Sequence, residues 1–139
     1  MHPFRRAVEE RDEAAIQAML ADTVVFTSPV AFKPYVGKPI TAAILRGVAR
    51  IFENFHYVRE ITDSDGRDHA FVFETEIAGS GKKITGCDFL HFNDDGLIDD
   101  FMVMVRPLSG ATALSEAMGA QFDRIQQEAL ELASQFSTA

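Results

Sequence analysis

The 139-residue sequence contains no tryptophan and only one cysteine, Cys87. A single thiol cannot form a disulfide within the chain. Basic residues never occur in a run longer than two, and the formal net charge is −8, which argues against a nucleic-acid-binding surface. No stretch approaches the roughly 18 apolar residues of a membrane span, and the N-terminus lacks the apolar segment of a signal peptide. We therefore expect a cytoplasmic protein that binds neither nucleic acid nor membranes.

Phenylalanine, in contrast, is abundant, with 12 copies in a chain that is 47% apolar and 24% charged. This composition is typical of a globular protein, and the length favours one domain over residues 1–139. A phenylalanine ring buries a large apolar area and has no polar tip that needs a partner. Such rings can fill a core or line an apolar cavity.

The first half of the chain shows mainly helical periodicity. Apolar residues recur at helical spacing over 4–20 and again over 38–54, where Pro39 suits a first helical turn. Between them, the β-branched run 23–28 predicts a strand that ends at Pro29. Strand 23–28 is thus flanked by two predicted helices.

The second half alternates with a period of two. We predict strands over 55–62, 69–78, 83–92 and 98–106, with glycine-containing turns between them. A C-terminal helix follows over 111–136, with an interruption near Gly119. Early helices and late consecutive strands indicate an α+β fold with an antiparallel sheet, and a strongly curved sheet around helices would enclose a pocket.

Asp88 stands out because strand alternation places it on the same face as apolar residues. Its own strand contributes Ile84 and Leu90 to that face. Neighbouring strands are expected to add Phe71, Phe73, Phe101 and Val103. Burial would raise the pKa of the carboxyl group and make Asp88 a candidate acid–base residue. The alternative is a solvated strand-end aspartate, or one bonded to a backbone amide.

Three further polar residues lie on predicted strands. Of His56 and Tyr57, one must face inward, and the alternation alone does not say which. His91 has the opposite parity to Asp88, so the two cannot form a dyad across a regular strand. With Cys87 and Phe89, His91 is expected on the outer face, and an apolar outer face needs a cover, which favours a homodimer.

Two segments carry a family resemblance. The loop "SPVAFKPYVG" and the strand–turn–strand segment "CDFLHFNDDGLI", together with the element order over residues 4–107, resemble the ketosteroid isomerase branch of the nuclear transport factor 2-like superfamily, which includes the SnoaL-like polyketide cyclases. The resemblance implies a cone-shaped, cystatin-like fold. In it, a curved antiparallel sheet wraps around the N-terminal helices and holds a deep apolar pocket.

The resemblance also implies roles for three positions. Where the isomerases carry an aspartate as general base, this chain has Ser28, and where they carry an oxyanion-binding tyrosine, it has Phe4. The second oxyanion donor, a neutral carboxylic acid, matches Asp88. An alcohol is a poor base near neutral pH and phenylalanine cannot stabilise developing negative charge, so we expect no steroid isomerisation by that mechanism.

The loop after Ser28 contains Pro29, Pro34 and Gly37 and crosses towards the second helix. Phe32 and Tyr35 on this loop are expected to form the lip of the pocket; alternatively they cap the helix layer without touching a ligand. The four histidines show no ligand spacing, so we expect neither a metal nor a cofactor.

These observations predict a protein that binds a small apolar, carbonyl-bearing molecule, with isomerase-, cyclase- or dehydratase-type acid–base chemistry at Asp88. The sequence leaves open whether the chain is an enzyme. A non-catalytic binder and a dimeric protein-interaction module remain the alternatives. The predicted binding residues are Phe4, Ser28, Phe32, Tyr35, Tyr57, Phe71, Phe73, Leu90, Phe101 and Val103.

Overall fold

The computed structural model describes residues 1–137. The helices are α1 (Pro3–Glu9), α2 (Glu13–Ala18), α3 (Lys38–Ile51), α4 (Leu108–Ala120) and α5 (Phe122–Ser137). The strands are β1 (Leu20–Thr27), β2 (Tyr35–Val36), β3 (Phe52–Thr62), β4 (Asp68–Ile77), β5 (Lys82–Phe92) and β6 (Ile98–Arg106). The architecture is α+β, as predicted.

The strands form one curved six-stranded sheet in the order β2-β1-β6-β5-β4-β3. Neighbours pair antiparallel except β1 and β6, which run parallel. The sequence did not indicate this parallel pair, because it joins strands far apart in the chain. Register shifts within β3, and another between β5 and β6, mark irregular positions where a sheet can bend.

The predicted helix over 4–20 is two helices. Arg11 adopts a positive φ of 56° and turns the chain. Asp12 then caps α2 by accepting a hydrogen bond from the Ala15 N–H at 3.1 Å. The strand that follows begins at Leu20, three residues earlier than predicted. Apolar periodicity runs through the break and conceals it.

The C-terminal region confirms the predicted interruption close to Gly119. Helix α4 ends at Ala120, Gln121 caps it, and α5 begins at Phe122. Helix α5 packs on α3, where a Cβ at Gly47 would lie only 2.9 Å from Ile125 Cδ1. The missing side chain therefore lets these two helices approach closely.

The inner face of the sheet follows the predicted alternation. Ile84, Gly86, Asp88 and Leu90 of β5 are buried, whereas Phe89 is exposed. Gly86 allows the Phe73 ring to lie across β5, since a Cβ there would be 2.2 Å from the Phe73 Cζ atom. Within residues 1–137, no helix is both long enough and apolar enough to cross a membrane.

Candidate active site

Asp88 and Tyr57 form a buried hydrogen-bonded pair on the inner face of the sheet. Asp88 lies on β5 and is 7% exposed; Tyr57 lies on the edge strand β3 and is 4% exposed. The Tyr57 hydroxyl donates to Asp88 Oδ2 at 2.6 Å. Strand β4 separates the two strands, so the phenol reaches across it to the carboxyl group.

Burial controls the acidity of both groups. Desolvation raises the pKa of Asp88 to about 7, and the hydrogen bond from Tyr57 opposes that rise. Desolvation likewise raises the pKa of Tyr57 well above its usual value, and the adjacent Asp88 charge adds to the effect. Asp88 therefore exchanges a proton near neutral pH while Tyr57 stays a neutral donor.

The hydrogen bond also determines which oxygen of Asp88 carries the proton. A phenol that donates to Oδ2 needs that oxygen as an acceptor, so protonation of Asp88 favours Oδ1. Oδ1 is the oxygen that Tyr57 leaves free, and Asp88 lines a cavity. Neutral Asp88 can thus donate a hydrogen bond into this space, and ionised Asp88 can accept one.

The main cavity has a volume of about 390 Å³, within the range of small-molecule sites. Its walls come from strands β1, β3, β4, β5 and β6 and from helices α1, α2, α3 and α4. Six phenylalanines line it: Phe4, Phe26, Phe52, Phe55, Phe73 and Phe101. Aromatic rings therefore form much of the wall of the cavity and offer a large apolar contact area.

Helix α1 fixes the backbone of Tyr57. The Tyr57 N–H donates to Glu9 Oε2 at 3.1 Å, and Arg5 Nη2 donates to the Tyr57 carbonyl at 3.2 Å. Arg5 also contacts Glu9 Oε1 at 3.5 Å. Because β3 is an edge strand, these backbone groups lack a second strand partner, and α1 supplies one. This clamp holds Tyr57 in position for Asp88.

Ser28 lines the same cavity at the end of β1. Its Oγ accepts a hydrogen bond from the Val30 N–H at 3.1 Å, which shapes the turn after the strand. Accepting that bond leaves the hydroxyl proton available for a ligand oxygen. Ser28 therefore offers a weak polar contact and no base.

Comparison with known proteins identifies the family. The sequence profile of the SnoaL-like domain matches residues 2–101. The chain belongs to the SnoaL-like domain family. A comparison with curated protein sequences finds no match.

Solved structures support this assignment. A steroid delta-isomerase from Pseudomonas aeruginosa is 37% identical over 89% of each chain, with a TM-score of 0.81. A protein with a cystatin-like fold from Silicibacter pomeroyi is 34% identical, with 86% of this chain and 82% of that one covered and a TM-score of 0.79. The epoxide hydrolase/cyclase-like enzyme SalBIII, which has a role in pyran ring formation in salinomycin, shares the fold at 17% identity, with 77% of this chain and 87% of that one covered and a TM-score of 0.62.

The SnoaL-like cavity contains several of the residues predicted from the sequence. Phe4, Phe73, Phe101 and Val103 line it together with Asp88, Tyr57 and Ser28. Phe71 and Leu90 do not line it, although both are buried in the core. The Phe4 ring of α1 stacks on Phe71 with ring centroids 6.0 Å apart, so α1 covers this part of the inner face.

The loop residues lie elsewhere than expected. Phe32 is 100% exposed and is not a wall of the cavity. Tyr35 is half-buried in β2 and lines a smaller neighbouring cavity instead. Prolines and glycine shape this loop, and sequence patterns do not fix the direction of its side chains. Neither residue is the lip of the main cavity in this structure.

Several cavity residues were missed in the sequence. Phe55 has the same strand parity as Tyr57, and this parity was a signal that could have identified it. The Phe55 and Tyr57 rings meet edge-on with centroids 4.9 Å apart.

Arg46 and Arg50 also line the cavity. Both arginines bond Glu128 of α5, at 2.9 and 2.8 Å. This contact crosses most of the chain length, and no local motif reveals it.

The histidines take no part in the site. His56 is exposed beside Glu74, which settles the choice at 56 and 57 in favour of Tyr57 as the inward residue. His91 lies on the outer face, where its Nδ1 is 2.8 Å from Asp68 Oδ1. Among residues 1–137, no group of three or more histidine, cysteine, aspartate or glutamate side chains is arranged to hold a metal ion.

Proposed function

We propose that this SnoaL-like chain binds a small apolar, carbonyl-bearing molecule in its main cavity and transfers a proton through Asp88. One observation carries the proposal: a carboxyl group with a pKa of about 7 lines an apolar cavity, with one oxygen engaged by Tyr57. A catalytic acid is most effective when its pKa lies near the working pH. The 37%-identical relative is named as an isomerase of steroids, which supports an apolar substrate.

In the proposed reaction, neutral Asp88 transfers its Oδ1 proton to the carbonyl oxygen of the bound molecule and becomes a carboxylate. Tyr57 holds Oδ2 and stabilises the carboxylate that remains. In an isomerisation, this carboxylate takes a proton from the carbon next to the carbonyl, which gives the enol. Neutral Asp88 then protonates the enol at another carbon and takes back the O–H proton, so that Asp88 ends the cycle neutral. The reaction class is an isomerisation, cyclisation or dehydration. Ser28 cannot serve as a second base, so Asp88 must both give and take the proton.

The test uses a 3-oxo-Δ4-steroid as a neutral carbonyl probe in calorimetric titrations. With a pKa near 7, the neutral fraction of Asp88 falls about tenfold between pH 6 and pH 8, so the affinity should weaken by about the same factor. Asp88→Asn should remove this pH dependence. Binding that is independent of pH in both proteins contradicts the proposal.

A non-catalytic binder is the second candidate, because Ser28 and Phe4 occupy positions where the resemblance implies a base and a tyrosine. The same cavity and the same Asp88 contact would hold the ligand. Incubation with the corresponding Δ5-3-ketosteroid separates the two functions, because conversion to the conjugated ketone changes the ultraviolet absorbance. Conversion that Asp88→Asn abolishes assigns the enzyme and excludes the binder.

We also propose that the chain forms a homodimer through the outer face of the sheet. On that face, Cys87 pairs with Met104 and Phe89 with Met102 across β5 and β6. Met104 is 54% exposed and Phe89 is 36% exposed, so these adjacent side chains form an apolar surface that a second copy can cover. Sedimentation should show a dimer that Met104→Glu dissociates; a monomeric wild-type protein contradicts this part.

A further inference from the structure

A second cavity of about 190 Å³ adjoins the main one beside the C-terminal helices. We call it the side pocket. Walls that belong to it and not to the main cavity include Tyr35 of β2, Ser115 and Gly119 of α4, and Phe122 of α5. The side pocket therefore adds space next to the cavity that holds Asp88.

The two cavities share part of their walls. Ser28, Val30, Ile44 and Met118 line both. Met118 is the most adaptable of these side chains, because methionine is unbranched and has three rotatable bonds. A change of its rotamer can open a passage without any movement of the backbone.

The chemistry of the side pocket suits an aliphatic chain. None of its walls within residues 1–137 carries a charged side chain. Val30, Ile44, Met118 and Phe122 supply apolar contact, and Ser115 and Tyr35 contribute hydroxyl groups. A carboxylate or an ammonium group would find no oppositely charged partner among these walls, whereas an alkyl chain finds apolar contact.

We propose that the ligand is a carbonyl compound with an aliphatic tail, whose head meets Asp88 and whose tail passes Met118 into the side pocket. The inference rests on the proposed function, because the head occupies the site described there. Ser115, Gly119 and Phe122 lie beyond residues 2–101, the part that the family profile matches. The tail subsite is thus built partly by the C-terminal helices.

The test uses acetophenones that carry para-alkyl chains from methyl to octyl, titrated by calorimetry or by chemical shift. Each methylene that becomes buried should raise the affinity of the wild-type protein roughly fourfold, until the side pocket is full. The amide resonances of Ser115 and Gly119 should move with the long-chain compounds and stay unchanged with acetophenone itself.

Two substitutions fill the side pocket and leave the main cavity intact: Ser115→Phe and Gly119→Leu. A Cβ at Gly119 meets no atom within 4 Å, so the first atom of the new side chain causes no clash. Each variant should bind acetophenone like the wild type and bind the octyl compound at least tenfold more weakly than the wild type does. Ala120→Leu is the control, since it adds the same side chain at a neighbouring position of α4 that lines neither cavity.

The outcomes separate the two proposals. If acetophenone binds in a manner that depends on Asp88 but chain length has the same effect in all variants, the tail subsite is wrong and the proposed function stands. If acetophenone binding does not respond to Asp88→Asn, the proposed function fails and the tail subsite fails with it. The inference is supported if Ser115→Phe and Gly119→Leu lose the chain-length effect while Ala120→Leu keeps it.

Discussion

Asp88 and Glu128 are both carboxyl groups shielded from water, yet their pKa values move in opposite directions. Burial raises the pKa of Asp88 to about 7, and within residues 1–137 the hydrogen-bond partner of its carboxyl group is the neutral phenol of Tyr57. Burial also acts to raise the pKa of Glu128, but the bonds from Arg50 and Arg46 outweigh it and the pKa falls below its usual value.

The difference shows that burial alone does not make an acid suitable for proton transfer. Glu128 ties α5 to α3 through two guanidinium groups and remains ionised at neutral pH, so its role is structural. In the described part of the chain, no cation lies beside Asp88 and a largely apolar cavity lies in front of it, so its two protonation states are close in free energy at neutral pH. The positive charge of Arg46 and Arg50, which lie beside Glu128, is what distinguishes Glu128 from Asp88.

The largest effect is expected for the stability of Asp88→Asn. The folded-state pKa of about 7 lies above the usual value near 4, so the stability that neutral Asp88 contributes is complete below about pH 4 and is lost as the pH rises through 7. The difference corresponds to at most about 4 kcal/mol. An asparagine does not ionise, so the free energy of unfolding of the variant should exceed that of the wild type at pH 8.

Urea unfolding at pH 4 and pH 8 measures this effect. The advantage of Asp88→Asn over the wild type should be larger at pH 8 by a few kcal/mol, of the order derived from the pKa difference. An equal difference at both pH values means that Asp88 has an ordinary pKa in the folded protein.

Tyr57→Phe removes the bond that favours ionised Asp88 and should raise the pKa of Asp88 further. A hydrogen bond to a charged group contributes about 1.5–3 kcal/mol, which corresponds to roughly one pKa unit or more. Carbon-13 NMR titration of the aspartate carboxyl groups measures the change. Tyr35→Phe is the matched control, because Tyr35 lines the side pocket and should leave the titration of Asp88 as it is.

Glu128→Gln should destabilise the protein by about 1–2 kcal/mol at pH 7, because two arginines lose their carboxylate partner. The folded-state pKa is lowered, so this contribution is present above the usual glutamate pKa and disappears as the pH falls through the folded value. The cost should therefore shrink in acid, opposite in sign to the pH dependence of Asp88→Asn. The exposed Glu131 on the same helix provides the control Glu131→Gln, and a cost independent of pH would contradict the ion-pair account.

The smallest effect is expected from the outer face. Asp68 raises the pKa of His91, so Asp68→Asn should lower the pKa of His91 towards its usual value. Asp88 has the opposite parity on β5, so its titration should not change. Proton NMR of the His91 ring and carbon-13 NMR of the Asp88 carboxyl group give the two pKa values in one sample. A change in the pKa of Asp88 as well would show that the two faces of the sheet are electrostatically coupled.

Much of the fold was predictable, because period-two alternation sets which side of a strand is buried. The inward positions of β4 and β5, including Asp88, follow from this rule, and so does the exclusion of His91. The break between α1 and α2 was not predictable, because Arg11 leaves the helix through a backbone conformation that apolar periodicity does not report.

The site was predictable only where it lies on regular strands. Asp88, Phe73 and Phe101 were found by parity, and the choice between His56 and Tyr57 needed the structure. Phe32 was misplaced, because an irregular loop gives no rule for side-chain direction. The contact of Tyr57 with α1 and that of Arg46 with Glu128 join distant parts of the chain, and one sequence carries no signal for them.

The most direct test of the account is a pH titration of the Asp88 carboxyl group by carbon-13 NMR, with the resonance assigned by its absence in Asp88→Asn. A midpoint near pH 7 is the predicted result, since burial outweighs the bond from Tyr57. A midpoint near pH 4, the ordinary value for aspartate, would contradict the central claim that this carboxyl group is held in an apolar cavity, ready to exchange a proton.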